Sequence, residues 1–288
     1  MQLKNQSFTN LLEINLAMLL VGTSGVLGRY ISLSPPLTIA VRAVLAFLLL
    51  FVYCRYKGFS FKIEKDHRIP IVCSGLFLGA HWVTYFYSLQ LSNVAIGMLS
   101  LFTYPVITAF LEPLLLRTQF QKAHLFLGLL VLAGIFLLNP TFDFKNEQSI
   151  AVAIGIFSAV LYSLRNIILK NRVGVYNGSS LMCFQMGVIA VFLAPSFLST
   201  EVFEIPTQLP WIFTLALLTT AIGHTLFLNC FRYFSITTIS ILSSVQPIYG
   251  ILLGALFLKE IPQLTTIFGG ICILSAVVIE SIRTQKNA

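Results

Sequence analysis

The sequence predicts an all-α integral membrane protein whose ten transmembrane helices form two inverted five-helix repeats. Three observations predict it: the composition, the lengths of the apolar runs, and a similarity between the two halves of the chain. Apolar residues make up 57% of the 288 residues and charged residues only 10%, whereas a soluble domain carries about 25% charged residues. A soluble fold of this size lacks the charge to cover so much apolar surface, and disordered chains are poor in aromatic residues. The composition therefore indicates a polytopic membrane protein.

Ten apolar segments are candidates for membrane-spanning helices. A helix that crosses about 30 Å of hydrocarbon needs about 20 mostly apolar residues. Prolines, polar residues or charges mark the breaks between the segments. Several breaks are only a few residues long, so neighbouring helices should form antiparallel hairpins. The predicted spans are 11–31, 36–54, 69–91, 93–116, 123–139, 150–170, 179–198, 209–231, 236–258 and 264–282.

The lysine and arginine residues between the spans predict the orientation of the chain. With the N-terminus inside, thirteen of them fall on the cytoplasmic side, and only Arg29, Lys145 and Lys259 fall on the other side. The positive-inside rule therefore predicts a multi-pass protein of the cell membrane with both termini cytoplasmic. Because the basic residues lie in short segments and form no continuous stripe, the net charge of +8 does not indicate a nucleic-acid partner.

No pattern in the sequence indicates catalysis, a metal or a cofactor. The five cysteines lie in or at the ends of apolar runs without a CxxC pair, so we expect them to be packing residues. The chain has no nucleotide-binding loop of the GxxxxGK[ST] type, no HExxH motif and no nucleophile elbow. We therefore expect no catalytic residue, no metal and no cofactor, and we predict that the protein is not an enzyme.

The two halves of the chain resemble each other at an offset of about 142 residues. Pro105 then aligns with Pro247, and Leu116-Arg117 aligns with Leu258-Lys259. Because five helices per repeat is an odd number, the second repeat should cross the membrane in the opposite orientation. Inverted repeats are the architecture with which many carriers expose one midplane site alternately to the two sides. The predicted repeats, which together form one membrane domain, are residues 1–142 and 143–288.

Two segments around these prolines are similar to the two repeats of the EamA-type drug/metabolite transporter family. They run from Asn93 to Gln121 and from Thr237 to Gln263. In that family, small and polar residues precede a proline, and a Leu-Gly-Glu or Leu-Lys-Glu step closes the helix that follows. Leu258-Lys259-Glu260 matches this step, whereas Leu116-Arg117-Thr118 lacks the glutamate. The resemblance extends from about residue 12 to 282. It implies a ten-helix carrier with a central cavity, and it does not identify the substrate because the family's substrates are diverse.

Several ionisable residues fall within the predicted spans, where an ionised side chain at mid-bilayer costs roughly 2.5–3.5 kcal/mol. We therefore expect them to face the protein interior and to pair with one another or with a substrate. Arg42 lies where the EamA family often has an arginine, and Glu112, just before Pro113, is a candidate for proton coupling. Glu13 is close enough to the cytoplasmic edge to be interfacial. The other ionisable residues inside spans are His81, Arg165 and His224.

Polar and aromatic side chains recur at helical spacing on several spans. His81 and Tyr85 lie about one turn apart, and Tyr162 lies three residues before Arg165, so each pair shares a helix face. Pro105 and Pro247 should interrupt their helices, which is tolerated at membrane depth where the helix lines a cavity. The predicted substrate-binding residues are Arg42, His81, Trp82, Tyr85, Tyr104, Tyr162, Arg165, Asn166, His224, Ser243 and Gln246.

Structural interpretations of the same residues stay open at this point. Arg42 lies about six residues, or ~9 Å of helix, from the start of its span, so its side chain could reach the interface by snorkelling. His81 and His224 could be neutral core histidines that bond to a backbone carbonyl. Any one of the aromatic residues could serve ordinary packing.

The leading hypothesis is a secondary carrier of small organic metabolites that works by alternating access. More cations than anions are predicted inside the membrane, which favours an amino acid or another carboxylate-bearing solute. An alternative is uptake of a larger aromatic nutrient such as a vitamin. An integral-membrane enzyme acting on lipid and a structural or sensory membrane subunit are two further hypotheses. The expected partners are a small-molecule substrate and the lipid bilayer; the sequence does not predict an oligomeric state.

Overall fold

The structure is a computed structural model of the whole chain. It describes residues 2–117, 122–139, 143, 145–169, 172, 175–230 and 242–287, with side chains for all of these except 2–8, 123, 280, 281 and 283–287. Several predictions concern residues outside the described set. They are Thr118 and Gln121 in the first of the two EamA-like segments, the basic residues Lys170 and Arg232, and the beginning of the predicted span 236–258.

All regular secondary structure of the described residues is helical, which confirms the predicted fold class at this level. Short 3-10 segments cover Ala194–Leu198 and Thr200–Glu204, and π-helical segments cover Leu215–His224 and Gly254–Leu258. The α-helices are α1 (Gln2–Tyr30), α2 (Pro35–Tyr56), α3 (Lys65–Leu91), α4 (Val94–Leu101), α5 (Tyr104–Leu116), α6 (Ala123–Leu138), α7 (Glu147–Leu169), α8 (Gly178–Phe192), α9 (Ile205–Thr214), α10 (Thr225–Cys230), α11 (Gln246–Leu253) and α12 (Leu264–Asn287).

Six of the helical runs are long and apolar enough to cross a membrane, and four others are apolar but shorter. The long runs are Thr9–Tyr30, Pro35–Tyr56, Lys65–Leu91, Val94–Leu116, Glu147–Leu169 and Thr200–Cys230. The shorter ones are His124–Leu138, Gly178–Phe192, Gln246–Leu258 and Leu264–Ile279. The chain is thus a multi-pass membrane protein, and the count of ten spans stays a prediction. Helix α8 is shorter than the predicted span 179–198, because Pro195 cannot continue the helix.

Large apolar side chains cover the outside of the bundle. Val52, Leu129 and Val191 are each about two-thirds or more exposed, at 67%, 66% and 78%. Each lies on a helix whose other face contributes to the buried core. A soluble protein rarely exposes contiguous apolar surface of this kind, whereas lipid acyl chains solvate it. The exposed surface therefore agrees with the composition.

The structure interrupts a helix immediately before each of the two aligned prolines. Phe102 and Thr103 form a turn between α4 and α5, and Pro105 is the second residue of α5. A turn likewise precedes α11, whose second residue is Pro247. Proline suits the first turn of a helix because its missing N–H would have no partner there. The two interruptions thus fall at equivalent positions of the two copies.

The two copies also end in the same way. Arg117 follows the last residue of α5 with φ 54°, and Lys259 follows the π-helical segment 254–258 with φ 59°. These are the only non-glycine residues with positive φ among those that the structure describes. The left-handed region costs a non-glycine residue about 1 kcal/mol or more, so the shared conformation marks a specific helix end. It falls on the basic residue after each aligned leucine.

The most extensive helix contacts join the two sequence halves: α3 packs on α7, α6 on α12, and α2 on α8. Glycines allow the closest approaches. A Cβ atom at Gly134 of α6 would lie 2.8 Å from the carbonyl oxygen of Gly269 on α12, and a Cβ at Gly75 of α3 would meet Val188 of α8 at 2.9 Å. Small residues at such crossings are typical of membrane helix packing. The halves are therefore interleaved, and neither forms a separate layer.

An ion pair joins four helix ends at one end of the bundle. The Arg29 Nε atom, at the end of α1, donates to Glu260 Oε1 over 2.9 Å, and Arg29 Nη1 donates to the Leu89 and Gln90 carbonyls at the end of α3 over 3.2 Å each. The second carboxylate oxygen of Glu260 accepts the first N–H of α4, from Val94, over 2.8 Å. A carboxylate at a helix N-terminus and a cation at a C-terminus both oppose the exposed helix dipoles. These contacts hold the four helix ends together, and we call this the closed end of the bundle.

Candidate functional site

A small cavity lies in the interior of the bundle, and its wall is formed by α1–α5, α7, α10, α11 and the π-helical segment 215–224. It has a volume of about 40 Å³, which is room for about three water molecules. An organic solute therefore needs a rearrangement of the surrounding helices to enter. The lining residues are Met18, Val21, Ser24, Arg42, His81, Trp82, Tyr85, Leu101, Phe102, Tyr104, Tyr162, His224, Phe227, Ser243 and Gln246.

Among the described residues of the cavity wall, only Arg42 carries a permanent charge. Its side chain is only 1% exposed, and its Nε and Nη2 atoms donate to the hydroxyls of Thr220 and Thr219 over 2.8 Å each. The guanidinium carbon also lies 3.9 Å from the centre of the Trp82 ring, a cation–π contact. Arg42 is thus held inside the protein by neutral groups, and the snorkelling interpretation is wrong.

The π-helical segment 215–224 explains how the two threonines reach Arg42. The Thr219 hydroxyl donates to the Leu215 carbonyl four residues earlier over 2.6 Å and accepts from Arg42. A π-type turn places successive side chains differently from an α-helix, and such turns are frequent at functional sites. The same segment ends on His224, whose ring lies 5.5 Å from that of Trp82. This segment therefore supplies one wall of the cavity.

His81 lies at the centre of α3 and is held by a hydrogen-bond pair with α7. Its Nδ1 atom lies 2.7 Å from Ser158 Oγ, and that hydroxyl donates to the His81 carbonyl over 2.8 Å. Because a hydroxyl has a single proton, Nδ1 must be the donor to Ser158. This tautomer leaves Nε2 of the neutral ring as an acceptor in a residue that lines the cavity.

Aromatic rings make up much of the remaining wall. The Tyr162 ring lies 4.6 Å from that of His81 and 4.8 Å from that of Tyr104, which it meets nearly edge-on at 79°. The Tyr104 hydroxyl is placed to hydrogen bond with Ser243, so it connects the two interrupted helices. Such a wall can hold a flat or apolar part of a solute while its hydroxyls bind polar parts.

Arg165 and Asn166, both predicted to bind substrate, do not line the cavity. Arg165 is 4% exposed, and its Nη1 and Nη2 atoms donate to Asn166 Oδ1 and Gln185 Oε1 over 3.0 Å each. Gln185 in turn donates from Nε2 to Ser74 Oγ over 2.8 Å. The structure therefore places the second buried arginine in a separate polar cluster made by α3, α7 and α8.

The other nine predicted substrate-binding residues do come together around the cavity. Glu112 does not: it lies half-buried in the last turns of α5, next to the exposed Leu114, and is not part of the cavity wall. None of the described residues in the cavity wall carries a carboxylate. Neither Arg42 nor Arg165 has a carboxylate oxygen within 4 Å among the described residues. The buried charge of the described part is therefore positive.

Three residues that bind the buried ionisable side chains were not predicted from the sequence. Ser158, Thr219 and Gln185 are polar residues within apolar helices, where serine and threonine usually bond to their own backbone. Their partners come from other helices, which sequence spacing on one helix cannot predict. Metal-binding groups of three or more His, Cys, Asp or Glu side chains do not occur among the described residues.

The family profile and the named relatives that match this chain are of transporters. The sequence profile of the EamA-like transporter family matches residues 11–139 and 149–282. The uncharacterized transporter YxxF of Bacillus subtilis is 23% identical over 98% of this chain and 93% of its own length. The pseudopaline exporter CntI of Pseudomonas aeruginosa is 22% identical over 85% of each chain. One solved structure, titled only as the crystal structure of a protein, shares the fold with a TM-score of 0.68, at 17% identity over 96% of this chain and 98% of that one.

Proposed function

Because the chain belongs to the EamA-like transporter family, we propose that it is a secondary carrier, and not an enzyme, for small organic solutes that bear a carboxylate. It works by alternating access within one membrane domain of ten spans, in which residues 1–142 and 143–288 are inverted repeats. Both termini are cytoplasmic. The partners are the solute and the lipid bilayer.

The proposed substrate class rests on the surroundings of Arg42. A buried guanidinium is costly unless a charged partner compensates it, and its partners in the cavity are two threonine hydroxyls and an aromatic ring. A carboxylate is the group that arginine binds best, through paired charge-assisted hydrogen bonds. A solute carboxylate at Arg42 would therefore supply the anion that the wall of the cavity lacks.

Alternating access is supported by the features that recur at the same offset in both copies. The turns before Pro105 and Pro247 and the left-handed residues Arg117 and Lys259 each differ by 142 in residue number. The Arg29–Glu260 ion pair joins helix ends at the closed end of the bundle. The positive-inside rule predicts that this end faces the extracytoplasmic side. In this conformation the cavity has no room for the solute, so the carrier must open on at least one side to load it.

A larger aromatic nutrient is the second candidate substrate, and it is favoured by the rings of Trp82, Tyr104 and Tyr162 in the wall. The carrier could move its solute into or out of the cell. Outward transport is a candidate because one relative is named an exporter. Glu112 stays a candidate for proton coupling. It would act from α5, outside the cavity.

Exchange of labelled solutes in proteoliposomes tests the proposed function. The panel should contain amino acids, mono- and dicarboxylates, amines and neutral sugars, each present unlabelled inside the vesicles. We expect saturable counterflow of at least one carboxylate, and that solute should be recovered chemically unchanged. Saturable exchange of amines alone, or conversion of lipid without any solute flux, would contradict the proposal.

A further inference from the structure

Arg165 is a second buried cation with an incomplete set of partners. Its side chain is 4% exposed, yet it does not belong to the wall of the cavity. Two of its nitrogens donate to amide oxygens, those of Asn166 and Gln185. Its Nε atom is buried and has no hydrogen-bond partner in the part of the chain that the structure describes. One donor of a permanently charged group is therefore left without an acceptor.

The neighbours of Arg165 fix the orientation of its partner Gln185. Gln185 is fully buried and donates from Nε2 to Ser74 Oγ, and that hydroxyl donates to the Ile71 carbonyl over 2.7 Å. The amide oxygen of Gln185 must then face Arg165, as it does at 3.0 Å from Nη2. All of these groups are neutral, and among the described residues no carboxylate lies within 4 Å of Arg165. The cluster therefore accepts hydrogen bonds from the guanidinium without neutralising its charge.

Tyr162 separates this cluster from the cavity. It lines the cavity, and its ring centre is 5.9 Å from the guanidinium carbon of Arg165. Arg165 lies four residues before the end of α7, about 6 Å along the helix axis. Arg42 lies seven residues after the start of α2, about 10 Å from its first residue. In the proposed topology these two helix ends are on opposite sides of the membrane, with Tyr162 between the two arginines.

We propose that Arg165 and Gln185 form a second carboxylate-binding position, on the side of Tyr162 away from the cavity. The solute carboxylate takes the Nε and Nη donors of Arg165 when Tyr162 moves aside, before or after it lies at Arg42. That this anion is the transported solute rests on the proposed function. The two arginines thereby give an anion successive positions along the path instead of a single site.

A carboxylate introduced next to Arg165 tests directly whether this cluster binds an anion. Gln185→Glu places an anion where the Gln185 amide oxygen lies now, whereas Gln185→Met is a neutral control of similar size. We expect thermal unfolding of Gln185→Glu in detergent to occur at least about 3 °C above that of the wild type. Gln185→Met should unfold below the wild type. If Gln185→Glu is destabilised as much as Gln185→Met, the cluster has no demand for an anion and the inference fails.

Benzoate is the probe for occupancy, with neutral benzyl alcohol as the control. We expect benzoate to raise the unfolding temperature of the wild type saturably, and Arg42→Gln to retain part of that rise. Combining Arg42→Gln with Gln185→Glu should abolish it. Loss of the whole response in Arg42→Gln alone would show a single site and overturn the inference, although carboxylate exchange by the wild type could still support the proposed function. Retained exchange therefore separates the two failures.

Discussion

Replacing Arg42 by glutamine is expected to abolish carboxylate exchange by the carrier. The substitution removes the permanent charge that Arg42 contributes to the cavity wall and leaves the solute carboxylate facing two hydroxyls. Removing one partner of a buried charge pair costs about 2–5 kcal/mol, which corresponds to a loss of at least about thirtyfold in affinity. The measurement is the rate of labelled carboxylate counterflow in proteoliposomes as a function of solute concentration.

Two further variants control this result. Arg42→Lys keeps the charge but cannot donate to both threonines while it stacks on Trp82, so we expect only partial recovery of exchange. Arg55→Gln removes an exposed arginine from the same helix and should leave the half-saturation concentration unchanged. If Arg42→Gln exchanged carboxylates with the wild-type half-saturation concentration, the substrate site would lie elsewhere.

A disulfide across the closed end of the bundle is expected to stop transport completely and reversibly. A Cβ atom at Gly254 would lie 3.2 Å from Cβ of Val94, close to the 3.5–4.5 Å of disulfide-bonded cysteines. Val94 begins α4 beside the Glu260 carboxylate, and Gly254 begins the π-helical segment of the other copy. Oxidation of Val94→Cys/Gly254→Cys should therefore hold this end shut, and reduction should restore exchange.

The control for the disulfide is a pair within one sequence half. A Cβ atom at Gly178 would lie 2.9 Å from Cβ of Leu228, so Gly178→Cys/Leu228→Cys joins α8 to α10. Exchange should continue when this pair is oxidised. The five native cysteines are free thiols, so the wild type, oxidised in parallel, gives the baseline. Full exchange through quantitatively cross-linked Val94→Cys/Gly254→Cys would show that this end need not open.

The helices could be predicted closely because lipid makes their sequence signals strong. An apolar run must be helical at membrane depth, since every backbone polar group needs an internal partner. The turns before Pro105 and Pro247 follow from chemistry that any proline imposes. The early end of α8 shows the limit, because an apolar run can outlast its helix when Pro195 follows.

The candidate site was predictable where one helix determines it and not where two helices meet. His81, Trp82 and Tyr85 lie on one face of α3, and the structure brings all three to the cavity. Arg165 lies one turn after Tyr162, yet Gln185 on α8 diverts it into a separate cluster. The partners of Arg42 depend on a π-helical segment whose hydrogen-bond pattern has no distinct sequence signal.

If the cavity selects an anion at Arg42, Trp82 is placed to report the binding directly. The chain has two tryptophans. Trp211→Phe removes the other one while keeping a ring for its stack with Tyr30, whose centre lies 4.8 Å away. Trp82 is then the sole tryptophan, and the centre of its ring lies 3.9 Å from the guanidinium carbon of Arg42. The measurement is Trp82 fluorescence in this variant during titration with benzoate, benzyl alcohol and benzylamine, which share a ring and differ in charge. We predict a saturable change with benzoate, a weaker one with benzyl alcohol and none with benzylamine. An equal response to all three, or a stronger response to benzylamine, would show that the cavity does not select an anion.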